Sequence, residues 1–333
     1  MAAEQTSLTA HVRPFQATEH VVAAAFVDGE PALALADGAI LFDGPVSPRR
    51  VVAHPEGAIL VASCDGKRLI TGGDDGRVVA TIASGATSEI ADERGRWIDA
   101  VATRSGAVVW SCGKQARASE AVGMVKSWDA PTTVRGLCFL PKGYRIALAH
   151  YNGASLWFPN AAAEPTVLEW KGSHLDVTSS PDGRFLVTSM QENALHGWRL
   201  SDSRNMRMTG YPGKTRSLSW SHDGHWLATS GADACVVWPF RDKDGPMGKA
   251  PRECGVRAER ITQVAFHPRA LVVAAGYANG ELLLCRLGDG AEILVRHPSP
   301  SEGAITAMAW DAMGARLLFG LETGSAGLLT LPA

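Results

Sequence analysis

The chain has 333 residues, is 46% hydrophobic and 20% charged, and carries a formal net charge of −2. It has neither a basic excess nor a basic run, which argues against bulk binding of nucleic acid or an anionic membrane. With 35 glycines and 18 prolines, the composition points to many tight turns around a sizeable core.

From the N-terminus, residues 1–16 lack a basic stretch followed by an apolar one, so no secretory signal is expected. No apolar run approaches the roughly 18 residues of a membrane-crossing helix. The cysteines are Cys64, Cys112, Cys138, Cys235, Cys254 and Cys285. None has CxxC spacing and most lie in apolar runs, which reads as reduced thiols of a cytoplasmic protein.

A repeated pattern then runs down the chain. Residues 8–15 are strand-compatible but belong to no unit of their own. The first unit, 20–43, turns at Asp28-Gly29 and Asp37-Gly38. The second starts at Ala58, turns at Cys64-Asp65-Gly66 and at 72–76, and ends at 78–82. The third spans Trp97 to Lys126, with Arg104-Ser105-Gly106 as its first turn. The fourth runs 134–140, Pro141-Lys142-Gly143, 145–149, a turn at 150–153, and 154–158 with Trp157. The fifth runs 174–179, Ser180-Pro181-Asp182-Gly183, 185–189, a turn at 190–193, and 194–200 with Trp198. The sixth runs 215–220, Ser221-His222-Asp223-Gly224, 226–230, Gly231-Ala232-Asp233-Ala234, and 235–240 with Trp238. The seventh begins at Ile261 and turns at Phe266-His267-Pro268 and Ala278-Asn279-Gly280. The eighth, 305–331, turns at Ala312-Met313-Gly314 and Glu322-Thr323-Gly324.

Three strands and two tight turns make a β-meander. Trp198 and Trp238 stand about 40 residues apart, the period of a four-stranded propeller blade. A fourth, outer strand follows each of the first seven units, as at 167–170 and 292–296. The eighth ends without room for one, so residues 8–15 are expected to supply it. Closing the ring in this way removes exposed sheet edges. The expected architecture is one all-β propeller domain over 1–333, with blades at 20–57, 58–96, 97–133, 134–173, 174–214, 215–260, 261–304 and 305–333 plus strand 8–15. The units number eight, and a ring of seven is also compatible with the pattern.

On the Ser-Pro-Asp-Gly and Ser-His-Asp-Gly turns, the Asp233 turn and Trp157, Trp198 and Trp238, the chain resembles the WD40 repeat family over essentially its whole length. The resemblance implies that the turn Asp and the third-strand Trp join a hydrogen-bonded structural network. Asp75 and Asp233 match the turn Asp, with Glu192 and Asn279 as imperfect substitutes. Thr81, Cys285 and Phe42 take the Trp place in weak copies. The Gly-His pair that opens many family repeats is absent, so the network is expected to be largely incomplete. Trp128-Asp129 and Trp310-Asp311 do not fall at a third-strand end and are not counted. The weakly matching repeats and alanine-rich composition point to a bacterial member.

Catalytic and ligand motifs are each outweighed. Gly213-Lys214-Thr215 matches the end of a P-loop, but Met208 stands where its first Gly belongs and a strand follows instead of a helix. His222 and His225 flank a turn, and no tight ligand pair occurs. His150, His174 and His196 come from neighbouring blades, but read as ordinary strand or turn residues. Asp74-Asp75-Gly76 lacks the following acidic ligands of a calcium loop. No GxSxG elbow is present. The innermost strands carry Asp99 and Asp176 as their carboxylates, too few for a propeller hydrolase.

In a WD40-like blade, the turns between second and third strands share a face with the loops leading into each blade. That face carries His150, Tyr151, Asn152, Gln191, Glu192, Tyr211, Lys214 and Arg216, together with Met190, Asn193, Arg257 and Arg260. Aromatic and Arg residues on loops of a rigid frame suit a protein-binding surface. The charged stretch 241–252 reads as a longer excursion. The expected function is a non-enzymatic, cytoplasmic, monomeric scaffold for a protein or peptide partner, with no cofactor, metal, nucleic acid or membrane. Two alternatives are a metal-linked accessory protein of the zinc-homeostasis type and a divergent propeller hydrolase or lyase.

Overall fold

The computed structural model describes residues 7–44, 48–120 and 124–332. Its backbone is built almost entirely from short antiparallel strands joined by turns. The turn chemistry repeats: Ser180 Oγ donates to Asp182 Oδ1 at 2.7 Å and accepts from Phe185 N–H at 2.9 Å, while Asp182 also accepts from Arg184 N–H. Ser221, Asp223 and Trp226 reproduce this bond for bond. Gly183 and Gly224 complete these turns at φ +74° and +68°, a region that penalises a side chain.

The second strands of the repeats are deeply buried. Phe185–Met190 is covered along its whole length, whereas the outer strand Thr87–Asp92 is largely exposed. Sheets stacked face to face around a ring bury their middle strands on both sides, so these read as continuous apolar runs instead of alternating ones. The outermost strands tolerate proline, as at Pro14 and Pro48, because one edge needs no ladder donor.

Among the described residues the strands form seven continuous sheets, six with four strands and one with six. Counted this way the propeller has seven blades, and the eight sequence repeats are distributed over them. The fourth and fifth repeats share the six-stranded sheet because Thr166–Ser179 is one unbroken strand. Its first part pairs with residues 153–156 of the fourth repeat, and its second part pairs with Phe185–Met190 of the fifth. Bulges between Tyr151 and Gly153 and between His174 and Asp176 absorb the change of direction. The boundary expected at 173/174 therefore falls inside a strand.

The ring closes through the N-terminal segment. Val12–Gln16 pairs antiparallel with Ser325–Thr330, Val12 opposite Leu329 and Gln16 opposite Ser325. This completes the sheet begun by Ile305–Trp310 and Arg316–Leu321. The closing strand sits a few residues later than the expected 8–15, since Leu8 instead donates its N–H to Leu294 O of the preceding sheet at 2.7 Å.

The three marker tryptophans sit between neighbouring repeats. Trp157 packs with Ala100, Ala102 and Val109 of the third repeat, and Trp198 with Ala147 and Leu156 of the fourth. Trp238 packs with Phe185, Leu195 and Met206 of the fifth. The six cysteines make no disulfide. The third repeat's inner strand starts at Ala100, not Trp97, which leaves Trp97 in the preceding loop at 65% exposure.

Candidate functional site

The lead-in loops and the turns between second and third strands are laced together by main-chain bonds. His54 N–H donates to Gly38 O, Glu93 N–H to Gly76 O, Gln191 N–H to Ser173 O, and Gly213 N–H to Gly231 O. One face of the ring is thus a set of loops held on a rigid frame.

Of the residues assigned to this face, Tyr151, Asn152, Gln191, Glu192 and Arg216 are exposed and Lys214 is half-buried. Asn152, at φ +67°, accepts from Gly172 N–H, and Glu192 accepts from Ser173 N–H. His150 and Tyr211 correct the expectation: both are buried, at 1% and 7% exposure. His150 Nδ1 donates to Tyr151 O at 2.9 Å, and its Nε2 meets Ser155 Oγ at 2.8 Å. Desolvation pushes the pKa of His150 down, so the neutral ring is the one held.

Tyr211 belongs to the structural network. Its hydroxyl lies 2.7 Å from Thr229 Oγ1 and accepts from Trp238 Nε1. In the second repeat His54 takes the same place: its Nδ1 lies 3.0 Å from the Asp75 carboxylate and its Nε2 lies 2.8 Å from Thr71 Oγ1. Sequence reading missed His54 because no glycine precedes it. The signal was its separation of 17 residues from the strand threonine, close to the 18 between Tyr211 and Thr229. Asp233, by contrast, is exposed and offers its main-chain oxygen to Arg257 N–H. In the Trp place, Phe42 and Cys285 are buried, and the buried hydroxyl of Thr81 has no partner.

Three histidines that the sequence brings to neighbouring repeats are occupied or enclosed. His174 lies between Thr188 Oγ1 (2.7 Å) and Trp170 O (2.9 Å). His196 stacks on Trp170 with ring centroids 3.9 Å apart and meets Trp198 edge-on at 4.7 Å. Burial, and then the nearby His174, push the pKa of His196 down to about 3. Among the described residues no group of three or more His, Cys, Asp or Glu side chains is arranged to hold a metal ion.

Two cavities open on the loop face. One, of about 770 Å³, lies between Pro131, Tyr151, Val167 and Trp170. The other, of about 580 Å³, sits at the mouth of the central channel and is lined by Lys214, Arg216 and Arg260 with Asn193 and Gln263. Among the described residues no carboxylate lines it. Among the described residues none of these three cations forms an ion pair, whereas Arg135 pairs with Asp99 and Arg257 with Glu281 and Glu292.

Below the mouth, a cavity of about 490 Å³ is walled by the inner strands and includes Asp99, Arg135, Asp176, Ser189 and Arg216. Asp176 keeps accessible surface in this cavity although protein atoms crowd around it. Desolvation raises its pKa to about 6 against a bond from Val177 N–H. The wall thus carries two carboxylates and two guanidiniums but no imidazole.

The family model described as WD domain, G-beta repeat matches residues 204–238, from the outer strand of the fifth repeat to Trp238. Among solved structures, the chain is similar to the crystal structure of the computationally designed Ika8 protein. The two are 16% identical with a TM-score of 0.73, over 95% of this chain and 98% of that one. No curated protein matches the sequence. No helix among the described residues is long and apolar enough to cross a membrane.

Proposed function

The chain is a WD40-type β-propeller, and on that premise we propose that it is a non-enzymatic scaffold that binds a protein or peptide partner through its loop face. One observation carries the reading: Trp97 on a lead-in loop, 65% exposed, and Tyr151, 51% exposed at the bulge of the strand Ile146–Trp157 that replaces the turn expected at 150–153, are large aromatics on a frame fixed by main-chain bonds. Exposed aromatics on a pre-ordered surface bind at low entropic cost and are the side chains that dominate interface energies. The 770 Å³ groove beside Tyr151 gives an apolar partner residue a place to be covered.

A single-copy ring in a reducing, cytoplasmic setting fits six cysteines that make no disulfide. The metal-linked alternative gains no support from His174, whose nitrogens are already bonded, or from His196, which is enclosed by indoles. The hydrolase or lyase alternative gains none from a channel wall without imidazole.

The test is affinity capture from native cells with the wild-type chain and with a Trp97→Ala, Tyr151→Ala variant of unchanged thermal stability. The scaffold reading expects a specific co-purifying protein that the variant loses. Equal recovery by both, or no specific protein with either, removes it.

A further inference from the structure

We propose that the cavity at the channel mouth receives an acidic peptide segment of the partner, its carboxylates held by Lys214, Arg216 and Arg260. The proposal rests on the loop-face reading above and adds the chemistry of the segment that is bound.

Three arginine or lysine side chains around one cavity repel one another, and a folded chain normally answers such charges with carboxylates. Elsewhere in this ring it does so repeatedly: Arg68 pairs with Asp65, Arg117 with Glu93, and Arg199 with both Asp202 and Asp244. At the mouth no answering carboxylate stands among the described residues, so the compensating charge is left for a ligand.

The main chain that carries the cations is also fixed. Lys214 and Arg216 follow the lead-in loop of the sixth repeat, and Arg260 ends that of the seventh. Both loops are tied to the turn at Gly231, through Gly213 N–H to Gly231 O and Gly231 N–H to Ile261 O. Gly213 lets the Arg260 guanidinium lie close, since a Cβ there would come within 3.1 Å of its Nη1. Guanidinium groups carried on a fixed backbone can take carboxylates through paired, charge-assisted bonds.

The depth of the site is set by charge. Arg216 belongs to both the mouth and the lower cavity, and beneath it Asp176 stands as the carboxylate without a cationic partner among the described residues, Asp99 being paired with Arg135. An anion entering from the loop face is attracted as far as Arg216 and repelled beyond it. A volume of about 580 Å³ admits a few side chains of an extended peptide. It does not offer the long basic track that a nucleic-acid backbone requires, and the net charge of −2 agrees.

Fluorescence anisotropy with a labelled peptide of alternating Glu and Gly, set against its Gln and Gly counterpart, tests this on the full chain. The Glu peptide is expected to bind about tenfold tighter or more, as hydrogen bonds to charged groups allow. That preference is expected to fall as salt is raised and screening lengths shorten. A Lys214→Gln, Arg216→Gln, Arg260→Gln variant is expected to lose it, and Arg216→Gln alone to lose most of it while keeping the wild-type melting temperature. Equal binding of the two peptides, or an unchanged preference in the triple variant, overturns the proposal. So does a single-stranded oligonucleotide that binds tighter than the Glu peptide. If the captured partner is lost by the Trp97→Ala, Tyr151→Ala variant but kept by the triple Gln variant, the scaffold reading stands and this one falls.

Discussion

Trp238 donates its indole N–H to the phenolic oxygen of Tyr211 at 2.6 Å, inside a cluster that joins the fifth and sixth repeats. Removing the phenol oxygen leaves that N–H without a partner in a dry environment. Tyr211→Phe is expected to cost about 1–3 kcal/mol, the penalty of an orphaned buried donor. Trp238→Ala is expected to cost about 3–5 kcal/mol through the cavity it leaves. Urea denaturation of the single and double variants checks both values. Strict additivity would show that the two side chains do not act as a unit.

Asp75 and Asp233 look alike in the sequence and differ in the fold. The Asp75 carboxylate takes His54 and the Arg77 N–H, whereas Asp233 faces solvent. Asp75→Ala is expected to cost about 2–3 kcal/mol by leaving His54 half-satisfied, and Asp233→Ala less than about 0.5 kcal/mol. Thermal melts of the two variants side by side decide it.

His196 makes acid destabilising. Its folded pKa of about 3 lies below the ordinary 6.5, so the unfolded chain takes up the proton first. Its contribution is complete above pH 6.5 and is lost progressively as pH falls toward 3, about 2–3 kcal/mol by roughly pH 4.5. His196→Phe keeps the stacked ring between Trp170 and Trp198. It should flatten the acid limb of the stability curve, measured by denaturant midpoint against pH. An unchanged limb would remove His196 as its source.

Asp176 acts in the opposite sense. Its folded pKa of about 6 lies above the ordinary 3.8, so the folded chain holds the proton more tightly and stability falls as pH rises through that window. Asp176→Asn retains an acceptor for Val177 N–H and carries no charge. It is expected to raise the melting temperature at pH 7.5 and to lose that advantage near pH 4. A lower melting temperature at pH 7.5 would count against it.

The repeat was legible because its turns are written in local chemistry: Ser180 with Asp182 and Ser221 with Asp223 announce themselves at fixed spacing. Tyr211 was misread because a tyrosine in a lead-in loop looks like surface. What buries it are Thr229 and Trp238, 18 and 27 residues further on. The eight units did not become eight sheets because nothing local stops the strand at residue 173. The boundary expected at 173/174 lies within Thr166–Ser179. At the mouth, Lys214, Arg216 and Arg260 were legible as loop cations. That they lack partners, while Arg184 and Arg199 have them, is a fact of tertiary placement.

The pairing of Val12–Gln16 with Ser325–Thr330 joins strands far apart in sequence, Gln16 reaching Ser325 across 309 positions. This sheet stays incomplete until both of its distant parts have been made, so closure of the long intervening loop becomes a late folding event. Until then Ser325–Thr330 presents an open edge, the interval in which strand exchange between copies competes with self-closure. A circular permutant that joins the present ends and reopens the chain within 241–251 would make this sheet from contiguous sequence. It would refold with less concentration-dependent aggregation than the parent.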